Sequence, residues 1–134
     1  MKMIAKTIRG GKIYVDEEQL KPDAPFDLSE WPDMVNYGQT QFIEATKLGE
    51  GVYEGHCLLL KEDQVVRQGF GKIDYNETGD FYEGWWLNNS RHGMGKMTYA
   101  NDEMFYGLWI DDVKFSGTHV YKDGTSVYTD QLEQ

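Results

Sequence analysis

Positive charge is scarce in this chain. Lys and Arg number 13 against 23 Asp and Glu, a formal net charge of −10. Such a balance argues against nucleic acid, whose phosphates repel an acidic surface, and against strong electrostatic attachment to anionic lipid. Cysteine is nearly absent. The single Cys57 has no partner for an internal disulfide, which points to a reducing, cytoplasmic compartment. Proline is limited to Pro22, Pro25 and Pro32, all between Lys21 and Asp33. That stretch reads as an irregular connection or cap, and the rest of the chain is left without strand-breaking proline. Long apolar runs are also missing. The longest, Cys57 to Leu60, is far below the ~20 residues of a membrane-spanning helix. No secretory apolar segment is present. The basic start, with Lys2, Lys6, Arg9 and Lys12 and no acid before Asp16, reads as a solvated strand, with an organelle-targeting remnant as the alternative.

What the chain has in quantity is glycine and aromatic rings: 15 Gly, 9 Tyr, 6 Phe and 4 Trp in 134 residues. Their order is periodic. One segment runs Tyr53-Glu54-Gly55, then Gly69-Phe70-Gly71 and Tyr75. A second runs Tyr82-Glu83-Gly84-Trp85-Trp86, then His92-Gly93-Met94-Gly95 and Tyr99. A third runs Phe105-Tyr106-Gly107-Leu108-Trp109, then Gly117 and Tyr121. Gly71, Gly95 and Gly117 are each followed four residues later by a tyrosine. Turn-forming residues separate the segments: Asn76 to Asp80, Asn101-Asp102 and Asp123-Gly124.

Each segment predicts one β-hairpin. In Tyr82-x-Gly84-x-Trp86 alternate residues share a strand face, and Gly84 leaves room for neighbouring rings or backbone. Asn88 to Arg91 supplies the turn. Helical periodicity is absent, and this glycine density opposes a helix. The hairpins are expected near 53–75, 82–99 and 105–121, with Trp86 and Trp109 on the same side of the sheet.

Tyr-x-Gly-x-Trp, a turn, and His-Gly-x-Gly resembles the MORN repeat (membrane occupation and recognition nexus). The match is close from Tyr82 to Gly95. The third unit carries Phe105 for Tyr and shortens the second element to Phe115-Ser116-Gly117, as a terminal repeat would. The first carries Cys57 in the Trp place and a longer loop. The resulting expectation is an all-β fold: an antiparallel meander of tandem hairpins forming an elongated twisted sheet over residues 49–128. Residues 1–48 are expected to be an N-terminal extension with a capping strand near Lys12 to Val15. Val35 to Gly38 and Gly49 to Gly51 read either as remnants of another unit or as plain loop. Residues 129–134 read as a polar tail.

The resemblance implies subunits of cytoskeletal or ciliary assemblies, junctional membrane proteins, or modules attached to enzymes. The expectation drawn is a non-catalytic scaffold that binds a protein partner or a second copy of itself. A peripheral phospholipid-binding module is the alternative. Candidate partner-binding residues are the aromatic stripe Tyr53, Tyr82, Trp86, Phe105 and Trp109. Repeat-defining residues are Gly55, Gly71, Gly84, His92, Gly93, Gly95, Gly107 and Gly117. Neither catalytic, cofactor nor metal residues are expected. His56, His92 and His119 are scattered without ligand spacing, and Cys57 reads as a small buried hydrophobe. The Gly-x-Gly elements precede strands rather than helix N-termini, so phosphate-loop geometry is not expected.

Overall fold

Two of the hairpins turn on residues that accept left-handed backbone. Asn88 and Asn89 have φ of 49° and 68°, and Asp111 and Asp112 have 48° and 69°. Positive φ at both central residues is the two-residue turn whose twist matches that of the flanking strands. The turns between hairpins are longer and close on the repeated tyrosines. The Tyr75 carbonyl accepts from Gly79 N–H at 2.8 Å, and the Tyr99 carbonyl accepts from Asp102 N–H at 3.0 Å. The Tyr121 carbonyl accepts from Gly124 N–H at 2.9 Å.

A computed structural model describes residues 4–8, 11–20, 40–61 and 64–131. Strands β1 (Ile4–Ile8) and β2 (Gly11–Val15) form an antiparallel hairpin, followed by a 3₁₀ turn at Glu17–Leu20. The main sheet holds eight strands. They are β3 (Gln41–Leu48), β4 (Gly51–Leu59), β5 (Val65–Tyr75), β6 (Asp80–Leu87) and β7 (Ser90–Thr98), then β8 (Met104–Ile110), β9 (Val113–Val120) and β10 (Ser126–Thr129). They pair in chain order as an open antiparallel meander. The all-β meander is therefore the fold, with the three expected hairpins at β4–β5, β6–β7 and β8–β9.

Two boundaries differ from expectation. The sheet begins at Gln41, inside the stretch read as an N-terminal extension, because β3 pairs with β4 from Gln41↔Cys57 to Leu48↔Gly51. Nothing in β3 carries the Tyr-x-Gly-x-Trp motif, so the repeat pattern could not reveal it. At the other end β10 covers the outer edge of β9. The proline segment and Val35 to Gly38 lie outside the described residues.

Strand parity divides the apolar side chains between the two faces. One face carries Tyr53, Ile73, Tyr82, Trp86, Met97, Phe105 and Trp109. The opposite face carries Trp85, Met94, Leu108 and Ile110, against which Ile13, Val15 and Leu20 pack from the N-terminal segment. A single sheet has no second layer of its own, and here the first hairpin supplies one. Val15 and Leu20 are fully buried, each worth roughly 1.5–3 kcal/mol of transfer free energy. The Thr118 hydroxyl donates to the Leu20 carbonyl at 2.6 Å and fixes the segment on β9.

Candidate functional site

Cross-strand register turns six of the seven repeat-defining glycines into one continuous row, while Gly93 pairs with Trp109. Gly55 pairs with Gly71, Gly71 with Gly84, Gly84 with Gly95, Gly95 with Gly107 and Gly107 with Gly117. A parallel row holds Tyr53, Ile73, Tyr82, Met97, Phe105 and His119. The rings of the second row lean over the first. A Cβ on Gly84 would come within 2.5 Å of Gly95 Cα and 2.6 Å of the Tyr82 hydroxyl. A Cβ on Gly71 would come within 2.0 Å of the Tyr53 hydroxyl and 2.4 Å of its Cζ. The glycines are therefore required by close approach and not merely by turn formation.

The tryptophans complete the layer. Tyr82 meets Trp86 edge-on at 5.1 Å and Trp109 at 5.4 Å; Tyr53 meets Trp86 at 5.6 Å, and Phe105 meets Trp109 at 5.5 Å. Edge-to-face contact at these distances is the favoured aromatic geometry. The Trp86 indole N–H donates to the Gly71 carbonyl at 3.2 Å, and that of Trp109 donates to the Gly95 carbonyl at 3.3 Å. The two indoles are thus equivalent and share a face. The Tyr53 hydroxyl donates to the His56 carbonyl at 2.6 Å and the Tyr82 hydroxyl to the Trp85 carbonyl at 3.0 Å. Burial raises the Tyr53 phenol above its ordinary range; the Cys57 thiol beside it adds to the rise, and Arg67 opposes it.

All five candidate partner-binding rings are enclosed. Tyr53, Tyr82 and Trp86 are fully buried, and Trp109 and Phe105 are 3% and 5% exposed. They bury one another and make up the sheet's own packing, not an open groove. Cys57 is buried in the Trp place, where burial also raises its thiol.

Two arginines outside the glycine and aromatic motif complete the layer. The Arg67 guanidinium lies 4.6 Å from the Trp86 ring, and that of Arg91 lies 4.8 Å from the Trp109 ring. Each also grips the turn of the following hairpin. Arg67 donates from its backbone N–H to Asn89 Oδ1 at 2.8 Å and from a terminal nitrogen to the Asn89 carbonyl at 3.1 Å. Arg91 repeats both bonds with Asp112, at 2.8 and 3.2 Å. The residue after each arginine continues the device. Gln68 Oε1 accepts from Asn88 N–H, and His92 Nδ1 accepts from Asp111 N–H, both at 3.3 Å. His92 is therefore held as a neutral acceptor. Burial lowers its pKa, and the Asp111 carboxylate partly opposes the shift. The sequence signal was available: Arg67 and Arg91 are 24 residues apart, the interval between Gly71 and Gly95.

The other histidines have local partners. His56 Nδ1 meets Thr40 Oγ1 at 3.2 Å. His119 Nε2 meets Glu103 Oε1 at 3.1 Å, and that bond lowers the Glu103 carboxyl pKa. Among the described residues, no group of three or more His, Cys, Asp or Glu side chains is gathered for a metal. Nor is any helix among them long and apolar enough to cross a membrane.

Toward the C-terminal end the aromatic layer opens. A cavity of about 210 Å³ lies beside Phe105, lined also by Lys114, Gly117, His119, Val127 and Gln131. Exposed apolar side chains lie at both ends of the sheet: Phe42 is 59% exposed and Leu60 50% at one, Val113 56% and Val127 52% at the other.

No family model matches the chain. The chain is similar to Alsin, a protein that contains MORN repeats. Rat Alsin is 34% identical over 108 residues, covering 71% of this chain and 6% of Alsin. Human Alsin is 32% identical over 94 residues, covering 66% of this chain and 5% of Alsin. The chain thus spans only about 6% of the length of its relatives, and over that span it is similar to a small stretch of Alsin.

Proposed function

We propose that this chain is a MORN-type repeat array acting as a non-catalytic protein-binding scaffold within a larger assembly. The observation that carries the reading is the repeated hairpin device, in a chain similar to a stretch of Alsin. Along the first two units a tyrosine, the tryptophan of the next hairpin and an arginine stack over a glycine pair. That packing makes a rigid platform whose ends and edges, rather than its buried rings, are free to meet a partner. Apolar side chains exposed together on one end of a sheet mark an interaction surface. Phe42, Leu59 and Leu60 are exposed at the β3–β4 end, Phe42 on the face of its cross-strand partner His56 and Leu59 on the opposite face where β4 closes.

The test is cross-linking and size measurement on complexes isolated from the native source. A stoichiometric protein complex is expected, weakened in a Phe42→Ser/Leu60→Ser variant of unchanged melting temperature. Co-sedimentation with phosphoinositide vesicles, with no protein retained, would overturn the reading in favour of lipid binding.

A further inference from the structure

Register places the first strand of a fourth unit in β10. Gly71 pairs with Gly84 and Gly95 with Gly107; the next pair in the series is Gly117 with Thr129. Thr129 thus holds the glycine place of Tyr-x-Gly-x-Trp. Two residues earlier, Val127 pairs with His119 and continues the row of Tyr82 and Phe105. Two residues later, Gln131 holds the tryptophan place. Its backbone N–H is anchored to Ser116 Oγ at 2.8 Å.

The surroundings of a tryptophan persist where the tryptophan does not. Tyr82 has an indole on each side, whereas Phe105 has Trp109 on one side and the 210 Å³ cavity on the other. Arg91 pairs with Trp86 across its own hairpin and lies over Tyr75, Tyr82 and the Trp109 ring of the next. Lys114 pairs with Trp109 in the same way and lies over Tyr99 and Phe105, at 5.6 and 5.3 Å. The third ring of that set is missing. Gly71 and Gly95 carbonyls receive the two indole N–H groups, and the corresponding carbonyl here is that of Gly117.

We propose that this groove is a docking slot for a tryptophan side chain presented by a partner protein. The inference rests on the protein-binding reading above and locates one contact of that partner. Three features select the occupant. Phe105 offers the ring contact that Tyr82 offers to Trp109, Lys114 offers a cation to the ring face, and the Gly117 carbonyl stands where the Gly71 and Gly95 carbonyls accept an indole N–H. An acyl chain would use neither the cation nor the carbonyl. The volume also suits a single ring system, being below the roughly 300–1,000 Å³ of pockets for drug-sized ligands.

The experiment is an amide NMR titration of the full chain with N-acetyl-tryptophanamide, with N-acetyl-leucinamide as control. Binding on the order of 1 mM is expected for an isolated side chain, with shifts at Lys114, Gly117, Thr129 and Gln131 from the tryptophan probe alone. A Gln131→Trp variant should fill the slot from within. It should abolish those shifts, raise the melting temperature and bury the added indole, read as blue-shifted fluorescence. Equal shifts from the leucine probe, shifts elsewhere, or a solvent-exposed indole in the variant would overturn the slot. So would acetate moving the same amides more strongly than the tryptophan probe, because the groove would then be an anion site on Lys114. A native complex that persists undiminished with Gln131→Trp would overturn the slot and leave the scaffold reading intact. Failure to isolate any protein complex would count against the scaffold reading itself.

Discussion

The phenol of Tyr82 lies across Gly95 so closely that a Cβ on that glycine would sit 2.5 Å from the ring's Cζ. The two residues are thirteen apart in the chain and become neighbours through the Gly84↔Gly95 pairing. Gly95→Ala should therefore cost about 1–3 kcal/mol, the usual penalty for overfilling a packed site. Tyr82→Phe removes only the bond to the Trp85 carbonyl and should cost about 0.5–1.5 kcal/mol. Urea unfolding of both variants checks the order. A Gly95→Ala protein as stable as its parent would show that the ring can move aside.

Trp86 is fully buried between Tyr53 and Tyr82. Trp86→Ala should destabilise by about 3–5 kcal/mol, combining lost transfer free energy with the cavity left behind. Thermal unfolding reads the loss directly. An unchanged melting temperature would mean that the ring contributes nothing to folding.

Arg91→Lys keeps the charge but loses the planar fork that joins Trp109 to the Asp112 turn. A loss of about 1 kcal/mol is expected, because a lysine cannot stack and donate in that geometry. Added salt should change the difference little, since the Asp112 carboxylate is half exposed and its ion pair is weak. A difference that vanished at high salt would assign the effect to the ion pair instead of the ring.

The depressed pKa of His92 has a definite pH signature. Its folded value lies below the ordinary 6.5, so the unfolded chain binds the proton more readily. The His92 contribution is present above about pH 6.5 and is lost as pH falls through the lower folded value. Gln68 makes the equivalent bond in the first unit without titrating. His92→Gln should therefore remove part of the stability loss on going from pH 7 to pH 5, measured by chemical denaturation. An unaltered pH profile would place the titration elsewhere.

Much of the hairpin array is legible in the residues themselves. The alternation Tyr-x-Gly-x-Trp assigns rings to a face because strand side chains alternate with a period of two. The Gly-x-x-x-Tyr spacing likewise locates the inter-unit turns. The arginine device is equally periodic, with Arg67 and Arg91 24 residues apart, but it lies outside the glycine and aromatic motif. Lysine and arginine on strands are ordinarily read as solvated, and only the stacked geometry shows that these guanidiniums cover rings.

The local hairpins, their faces and their glycine contacts follow from residue spacing within about twenty-five positions. The remaining features come from contacts between distant parts of the chain. The first hairpin lies on the Trp85 and Met94 face through a bond joining Leu20 to Thr118, residues 98 apart, and no local pattern encodes such a contact. The aromatic stripe is closed by its own rings, because successive hairpins bring Trp86 and Trp109 to either side of Tyr82. Val127, Thr129 and Gln131 hold the places of tyrosine, glycine and tryptophan without sharing a single residue type with them. Only the pairing of β10 with β9 puts them there, since register is set by backbone hydrogen bonds that any of these residues can make.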